Sequence, residues 1–225
     1  MTHGTTEGPR GPEEYGTGWY LRVASMGPAE HGPWSVRAYL TDDHPDGTTI
    51  GPGVDDSAYP EDRVLWRVGV DAQLRRRVSV ARWAVAGVPP LWAVEIPDEG
   101  GGRPGCSLVA FDTDDLPPGT VLTNDQFAAI PVDSAQQVAA VHWSTDTVTI
   151  DQIFVNPELR RRHVGTWMVY VADALHHHHG WPGLMNVSGR RTDVAEEAQG
   201  RHLHRVAART ERVVVIDPDT GIPAP

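Results

Sequence analysis

The stretch from Ile153 to Leu175 constrains the fold more than any other part of the chain, because it contains a strand, a loop and a helix in succession. Its first residues, IFV, are apolar and suited to a strand, and Asn156-Pro157-Glu158 ends that strand. Apolar side chains then recur with helical periodicity, which predicts a helix with one buried face. The recurring residues are Val164, Trp167, Met168, Val171, Ala172 and Leu175. Gly180 and Pro182 mark the end of this helix.

Shorter signals on both sides of this stretch predict further elements. Two runs rich in β-branched residues, VAAVHW from Val138 and VTIDQIFV from Val148, flank the turn residues 144–147 and predict an antiparallel hairpin. After the helix, we expect a strand at LMNVS from Leu184, a helix over Asp193 to Ala208 and a last strand at ERVVVID from Glu211. The resulting order β, β, α, β, α, β is typical of an α/β or α+β fold with helices packed on a sheet.

The chain before residue 131 has a different character and is predicted to be mainly β. Runs of β-branched and aromatic residues alternate with turn-forming Gly, Pro and Asp. The runs are Trp19 to Ser25, Trp34 to Leu40, Val64 to Val70, Val78 to Val80, Leu91 to Ile96 and Ser107 to Phe111. Residues 1–18 lack apolar periodicity, which predicts a disordered tail. We therefore expect a tail, a β-rich part over 19–130 that is either diverged or added, and a core over 131–225.

The charge of the chain limits the partners that it can bind. It has 19 basic and 30 acidic residues, a formal net charge of −11, which disfavours general binding to nucleic acid or to an anionic membrane surface. An anion must therefore be held at a local site. The single cysteine, Cys106, excludes an intramolecular disulfide and a metal site built from several cysteines. With no signal peptide and no run of about 20 apolar residues, the chain is predicted to be cytoplasmic.

The polar loop before the helix is suited to hold such an anion. Backbone N–H groups in the first turn of a helix have no partner inside the helix, and the helix dipole places a partial positive charge there. Arg160, Arg161 and Arg162 add side chains that form charge-assisted hydrogen bonds with phosphate. The pattern predicts a site for a diphosphate between the strand and the helix.

This run resembles the acyl-CoA-binding motif of the GNAT superfamily of N-acyltransferases: Arg or Gln, two free positions, Gly, one free position, then Gly or Ala. Arg160 takes the first position, His163 stands at the first Gly position, and Gly165 takes the last. The resemblance covers about residues 135–216. It implies a GNAT-like mixed sheet flanked by helices, in the α/β or α+β class, next to the β-rich N-terminal part. A Cβ atom at His163 is compatible with the motif if this residue has helical dihedral angles.

The resemblance also implies roles for individual residues. Backbone groups of Phe154 and Val155 would face the pantetheine arm and the thioester of acetyl-CoA. The groups that bind the diphosphate would come from Arg160, Arg161, Arg162, His163, Val164, Gly165 and Thr166. Asp151 stands where many members carry an acid that acts through water as general base; the alternative is a solvent-facing strand residue. His204 occupies the place of the tyrosine that protonates the departing thiolate, and the alternative is a surface histidine on a helix.

The function implied by this resemblance is an N-acetyltransferase. Its acyl donor would be acetyl-CoA, and its acceptor a primary amine on a small molecule, a peptide or a protein. A catalytically inactive GNAT-like binding or scaffold module, whose diphosphate site is empty or blocked by His163, is the alternative. The missing tyrosine and the unplaced first helices of the family favour this alternative, whereas Arg160 and Gly165 favour the enzyme. A third interpretation is a β-rich interaction protein whose resemblance to the family is accidental.

A run of four histidines, His176 to His179, falls at the predicted end of the helix. Only His176 and His179 share a helix face, so a metal site would need a ligand from elsewhere in the chain. Imidazoles in the last turn also favour the negative end of the helix dipole. We interpret the run as capping the helix, with metal binding as the alternative, and expect no resident metal.

Overall fold

The computed structural model describes residues 20–26, 33–39, 64–98, 104–183, 185–191, 207–208 and 214–215. Most of these residues lie in or between strands, which are β1 (Tyr20–Met26), β2 (Pro33–Tyr39), β3 (Val64–Val70), β4 (Arg76–Val80), β5 (Trp92–Asp98), β6 (Gly105–Phe111), β7 (Thr120–Thr123), β8 (Gln137–Ser144), β9 (Thr149–Val155), β10 (Met185–Val187), β11 (Arg190–Arg191), β12 (Ala207–Ala208) and β13 (Val214–Val215). The helices described are α1 (Asn124–Ala128) and α2 (Val164–His178), and Ser134–Gln136 and Pro157–Leu159 form short 3₁₀ turns.

The fold is α+β, with an open mixed sheet. Eight strands form its centre in the order β3-β4-β7-β5-β6-β8-β9-β10, while β1 and β2 continue it beyond β3 and β12 continues it beyond β10. Neighbouring strands are antiparallel except β5 with β7, β9 with β10, and β10 with β12. β11 and β13 form a separate parallel pair. α2 joins β9 to the parallel β10, because parallel neighbours cannot be connected by a tight turn.

The main apolar core lies between α2 and one face of the sheet. Alternate strand residues point to opposite faces, so Leu108 and Val141 point to the face where α2 buries Met168 and Leu175. α2 contacts strands from β2 to β9, which are seven strand spacings apart in the sheet. Seven spacings of about 4.8 Å exceed the length of a 15-residue helix at about 1.5 Å per residue. To contact strands this far apart, α2 must therefore run across the sheet rather than along a single strand.

A smaller core lies on the opposite face. The rings of Trp92 and Phe111 stack with centroids 4.5 Å apart, and Phe127 of α1 packs against both. α1 begins with a capping box: the Thr123 side chain accepts a bond from Gln126 N, and the Gln126 side chain accepts one from Thr123 N. This cap sets α1 directly after β7, where its aromatic residue can cover the apolar face.

Most of the predicted elements are confirmed. The hairpin is β8–β9, the helix is α2, the strand after it is β10, and the strands predicted before residue 131 correspond to β1 to β6. The sequence patterns do not predict β7 or α1. The helix predicted over Asp193 to Ala208 is wrong at its C-terminal end, because Ala207–Ala208 form β12 and pair with β10; the rest of it lies outside the described residues. Within the last predicted strand, Val214–Val215 form β13.

The sheet is continuous across the expected boundary between residues 130 and 131. β6 lies before this boundary and β8 after it, and the two strands pair from Gly105–Ser144 to Phe111–Gln137. The division into a β-rich part and a core stays a prediction, and the predicted tail over 1–18 lies outside the described residues. Neither α1 nor α2 combines the length and the apolarity of a bilayer-crossing helix.

Candidate functional site

β9 has strand partners on both of its edges only at its beginning. β8 pairs with β9 from Thr149 to Val155, whereas β10 pairs with Thr149 and Ile150 alone. A final bond from Ser188 N to Ile150 O, 2.8 Å long, closes this second ladder. From Asp151 to Val155, the edge of β9 away from β8 has no strand partner among the described residues. An unpaired strand edge can offer backbone N–H and C=O groups to an extended ligand.

The side chains along this open edge are exposed to an extent that is unusual for large apolar residues. Phe154 is 53% exposed and Ile153 is 37% exposed. Ile153 and Phe154 are consecutive on the strand, so their side chains point to opposite faces of the sheet beside this edge. The open edge runs over four residue steps of about 3.3 Å, or about 13 Å. This length suits an extended small-molecule chain.

Asp151 is the extra residue of a β-bulge in β9. His142 pairs with Gln152 and Trp143 pairs with Ile150, so Asp151 has no opposite residue on β8. Bulges change the direction of a side chain and are common next to functional sites. Asp151 Oδ1 lies 2.6 Å from His142 Nδ1, and 46% of the Asp151 side chain remains exposed.

His142 connects Asp151 to a second carboxylate. Its Nε2 lies 2.9 Å from Oδ2 of Asp98, the last residue of β5. Partial burial lowers the pKa of His142, but the hydrogen bonds and charges of Asp151 and Asp98 outweigh burial and raise this pKa above its ordinary value. The sheet therefore carries an imidazole held between two carboxyl groups beside the open edge of β9.

The loop after β9 is fixed to the strand end at several points. Asn156 N–H donates to Val138 O at 2.9 Å, and the Asn156 side chain accepts a bond from Glu158 N at 3.1 Å. The 3₁₀ turn that follows buries Leu159. These contacts give the loop a defined path from the edge of the sheet to α2.

The three arginines of the loop have different environments. Arg160 Nε donates to Val155 O at 3.2 Å and so ties the loop to the end of β9. Arg161 and Arg162 are exposed. Their guanidinium groups can therefore bind an anion that lies at the start of α2.

α2 begins with backbone donors that point out of the helix end. The first bond along the helix runs from Trp167 N to His163 O, 2.9 Å long. The N–H groups of Val164, Gly165 and Thr166 consequently have no partner within the helix. The side chains of Val164 and Thr166 are buried, so these residues can serve a ligand only through their backbone.

Gly165 brings the start of α2 against the open edge of β9. A Cβ atom added at Gly165 would lie 3.5 Å from Val155 Cγ2 and 3.9 Å from Ile153 Cγ2, which are ordinary contact distances. Alanine therefore fits at this position, whereas a longer side chain has to extend over the strand edge. The strand edge, the loop and the helix start together form one continuous surface, which we call the β9–α2 surface (Asp151 to Thr166).

His163, at the first Gly position of the motif, has left-handed backbone angles, with φ +58° and ψ +13°. Right-handed helical angles would accommodate a Cβ atom at this position, whereas the angles observed are left-handed helical ones. A left-handed conformation costs an L-residue about 1–2 kcal/mol, and glycine adopts it without that cost. This cost is a physical reason for a glycine at this position in the motif.

Replacing His163 with glycine should therefore raise the free energy of unfolding by about 1 kcal/mol, because it removes the Cβ atom from a left-handed position. Urea denaturation of the variant and the wild type measures the difference. His163→Ala is the control, since it removes the imidazole but keeps the Cβ atom, and it should be no more stable than the wild type. Equal stabilisation by alanine and glycine would contradict the backbone explanation.

The sequence-predicted site residues fall into three groups. Phe154, Val155 and the run 160–166 lie together on the β9–α2 surface. Asp151 is on the same strand, four residues before Val155. His204 lies outside the described residues.

Two residues of the site, His142 and Asp98, are not predicted as functional by the sequence analysis. A partial signal for His142 exists: counting outward from the turn 144–147 places it opposite Thr149 in a regular hairpin, and Asp151 is two residues further along the same face of that strand. No local pattern points to Asp98, because its contact with His142 depends on the order of distant strands.

The histidine run joins the C-terminal end of α2 to its surroundings. His179 Nε2 lies 2.8 Å from Glu95 Oε1 on β5, and its ring stacks on Trp181 with centroids 4.4 Å apart. The last carbonyls of the helix accept bonds from the backbone N–H groups of residues 179–181. The predicted interaction of the imidazoles with the negative end of the helix dipole stays a prediction. The ring of His179 thus contributes a hydrogen bond and a stacking contact at this end of the helix.

The two buried histidines of the run have other partners. His177 Nε2 lies 3.3 Å from Asp173 Oδ1 one turn earlier on α2, and His176 Nε2 lies 3.1 Å from Pro182 O. Among the described residues, no group of three or more His, Cys, Asp or Glu side chains is arranged to hold a metal ion. The run thus fixes the helix end by packing and hydrogen bonds.

A cavity of about 790 Å³ lies beside β4, between residues 78–80 and 89–91. Four Val and three Pro are among the fifteen residues that line it, together with Arg77 and Arg82. Trp167 of α2 reaches this cavity. Trp167 is two residues after Gly165, which is about 200° around the helix axis. The cavity and the β9–α2 surface therefore lie on opposite sides of the first turn of α2.

No protein-family model, curated protein or solved structure matches this chain. Function is therefore inferred from the β9–α2 surface and from the motif in its loop. The open strand edge, the donors at the start of α2 and the Asp98–His142–Asp151 contact are the features that bear on it.

Proposed function

We propose that this protein is an N-acyltransferase of GNAT type, which moves an acetyl group from acetyl-CoA directly to a primary amine. The observation that carries the proposal is the open edge of β9 next to the start of α2. The edge can pair with an extended, amide-containing arm, and the helix start can bind a diphosphate. In acetyl-CoA, the amide-containing arm follows the thioester, and the diphosphate follows the arm.

The course of the chain supports the proposal. β8 and β9 form a hairpin, α2 follows, and β10 returns parallel to β9 but leaves it after Ile150. Hairpin, helix and parallel strand follow in the order that the GNAT resemblance implies. Before β8, the described residues form strands and the short α1, so the proposal of a GNAT-type sheet concerns the part of the sheet from β8 onwards.

The proposal assigns a role to each part of the β9–α2 surface. Backbone groups of Phe154 and Val155 would hold the pantetheine arm and polarise the thioester carbonyl. The N–H groups of 164–166, with Arg161 and Arg162, would hold the diphosphate. Asp151 would accept a proton from the amine. Holding amine and thioester in contact is itself a large part of the rate acceleration in such a direct transfer.

A non-catalytic GNAT-like binding or scaffold module is the second candidate, and His163 is the observation that favours it. The side chain at the first Gly position, held in left-handed backbone angles, adds bulk beside the predicted diphosphate site. Binding of acetyl-CoA together with release of free thiol distinguishes the enzyme from this module.

Substitution of Gly165 tests the binding site. Gly165→Glu should weaken acetyl-CoA binding by at least about 100-fold, or about 2.8 kcal/mol, because it places bulk and negative charge at the diphosphate. Calorimetric titration measures the affinity. An acidic residue in the first turn favours the helix itself, so the variant should remain folded.

Two control variants separate size from charge. Gly165→Ala should bind like the wild type, because its Cβ atom would stand 3.5 Å from Val155 Cγ2. Gly165→Gln has the size of glutamate without the charge and should have intermediate affinity. If a folded wild-type protein does not bind acetyl-CoA, the proposed enzyme is excluded. If all variants bind acetyl-CoA equally, the cofactor binds at a place other than this loop.

A further inference from the structure

The ring of His142 connects three strands of the sheet. It stands on β8, and its nitrogens contact Asp151 on β9 and Asp98 at the end of β5. β6 lies between β5 and β8, so Asp98 and His142 meet across it. Gly105 of β6 occupies the crossing point: a Cβ atom there would lie 2.7 Å from Asp98 Oδ2 and 2.7 Å from His142 Nε2. Glycine weakens a strand and often marks a close approach, which here is the approach of these two side chains.

Both contacts of His142 are to carboxyl oxygens, which only accept hydrogen bonds when the group is ionised. A neutral imidazole has one N–H, whereas an imidazolium has two. The imidazolium can therefore donate to both carboxylates at once, over 2.6 Å to Asp151 and 2.9 Å to Asp98. Partial burial opposes this charge, and the two carboxylates, the charged groups that act on the ring among the described residues, outweigh it and raise the pKa of His142.

We propose that His142 is a positioning residue that holds Asp151 ready to take a proton from the acceptor amine. This inference rests on the proposed acyl transfer. His142 binds Asp151 Oδ1, and Oδ2 makes no hydrogen bond within the described residues, so Oδ2 is left for the acceptor. Asp98 keeps the ring charged and oriented from its other side. Without this contact, the half-exposed side chain of a bulge residue would be free to change rotamer.

The acceptor is an ammonium ion near neutral pH and must lose two protons during the transfer. One proton passes from the ammonium nitrogen to Asp151 Oδ2, directly or through one water. The amine nitrogen then bonds to the thioester carbonyl carbon, the bond from that carbon to sulfur breaks, and the departing thiolate takes the second proton. The proton on Asp151 leaves to solvent, so the products are the amide, the thiol and one proton.

The charge of His142 makes this arrangement depend on pH. Raising the pH through the pKa of His142 removes one N–H, and the neutral ring can then donate to only one of Asp98 and Asp151. The hold on Asp151 weakens, so the rate falls relative to a variant with no ionisable group at position 142. Comparing rates as a ratio cancels the ionisation of the acceptor itself.

Two amide variants separate the two contacts of His142. The amide nitrogen of an asparagine can stand near Nδ1 and donate to Asp151, whereas that of a glutamine reaches the position of Nε2 and faces Asp98. His142→Asn should keep kcat within about fivefold of wild type and lose the pH dependence, whereas His142→Gln should lower kcat by about 10- to 100-fold with little change in KM for acetyl-CoA. If His142 only joined the strands, the two variants should lose the same fraction of kcat.

Two further variants act on the Asp98 contact and leave His142 in place. In Asp98→Asn and in Gly105→Ala, the pKa of His142 should fall, and the decline in rate should begin at lower pH than in wild type. Asp115→Asn removes the same charge from an exposed turn after β6 and should leave the profile unchanged. NMR titration of ring-labelled histidine measures the pKa directly, with the His142 signal identified by its loss in His142→Gln.

The rate is measured as thiol released from acetyl-CoA with 2-phenylethylamine as the acceptor probe, and acetyl-CoA binding is measured separately by calorimetry. The single cysteine, Cys106, is buried and does not compete for the thiol reagent. A wild type that fails to bind acetyl-CoA, or binds it without releasing thiol, overturns the proposed function and this inference together. A wild type that turns over overturns the role of His142 alone if the Asn and Gln variants lose equal activity, or if Asp98→Asn keeps the wild-type pH profile.

Discussion

Replacing Glu95 with alanine is expected to reduce the free energy of unfolding by about 3 kcal/mol, because it breaks a buried ion pair. The Glu95 side chain is 3% exposed, and its oxygens lie 2.6 Å from Arg76 Nη1 and 2.8 Å from His179 Nε2. Alanine leaves both partners without their acceptor. Their side chains are 20% and 24% exposed, so water can replace part of the lost interaction, which places the effect at the lower end of the range for such pairs. Urea denaturation measures the change.

Glu95→Gln is the matched control for this substitution. It keeps the volume of the side chain and one carbonyl oxygen but loses the charge, so the loss should be smaller, about 1–2 kcal/mol. An alanine variant that loses less than about 1 kcal/mol, with an unchanged dependence on urea, would show that the ion pair adds little to the stability of the fold.

The contribution of Glu95 also depends on pH. Burial raises its pKa, but the hydrogen bond and charge of His179, with the charge of Arg76, outweigh burial and hold the pKa below its ordinary value of 4.5. A carboxyl group whose pKa is lowered by folding stabilises the protein fully above its unfolded pKa, and this contribution is lost as pH falls through the folded pKa. The difference in stability between wild type and Glu95→Gln should therefore be largest near neutral pH and decrease below pH 4.5.

Glu95 matters for the candidate site because it helps to place α2. His179, just after the end of the helix, contacts Glu95, and Asp173 in the middle of the helix accepts a bond from Trp66 on β3. At the other end, Gly165 lies against Val155. A helix held at three places keeps the N–H groups of its first turn in a defined position relative to β9, as a preorganised binding site requires.

Local sequence patterns predict the elements that carry the candidate site. α2 follows from apolar spacing within one continuous run, and the β8–β9 hairpin from two β-branched runs around a short turn. Their order in the chain is enough to place Phe154, Val155 and the run 160–166 side by side. Periodicity and turn chemistry are read over fewer than about 20 residues, which is the range of these elements.

Contacts between distant strands have no such local signal. Asp98 reaches His142 because β5, β6 and β8 are neighbours in the sheet. His179 reaches Glu95 because α2 packs on the face that Glu95 shares with Ala93, two residues earlier on β5. The bulge at Asp151 is also set by the sheet: it shifts the register by one residue, so that His142 pairs with the residue after Asp151. The positioning role inferred for His142 therefore required tertiary structure.

Short elements escape prediction for a different reason. β7 has four residues and α1 has five, too few to show a period. The available signal was the capping box from Thr123 to Gln126. At Ala207–Ala208 the prediction failed although a local signal was present. Alanine favours a helix, yet these residues pair with Met185 and Asn186, because tertiary context overrides propensity.

Replacing Trp66 with alanine should reduce the free energy of unfolding by about 4–5 kcal/mol, near the upper end for the loss of a buried tryptophan. Trp66 is fully buried on β3, and its Nε1 donates to Asp173 Oδ2 at 2.7 Å. Its ring also stacks with that of His177, with centroids 6.1 Å apart. Alanine leaves a cavity under α2 and removes a donor from a buried carboxyl group. Urea denaturation with a dye that reports exposed apolar surface checks both effects.

Trp66→Phe isolates the hydrogen bond from the cavity. It fills most of the site, and should still reduce the free energy of unfolding by about 2–3 kcal/mol, because a buried carboxyl loses a donor. Trp92→Phe is the matched control: Trp92 is equally buried, but its Nε1 donates to Thr113 Oγ1 at 3.0 Å, on a partly exposed residue that water can reach. That loss should be about 1 kcal/mol. Equal losses in the two variants would show that Asp173 does not depend on Trp66, whereas the larger loss at Trp66 would identify this bond as the contact that fixes the middle of α2 to the sheet.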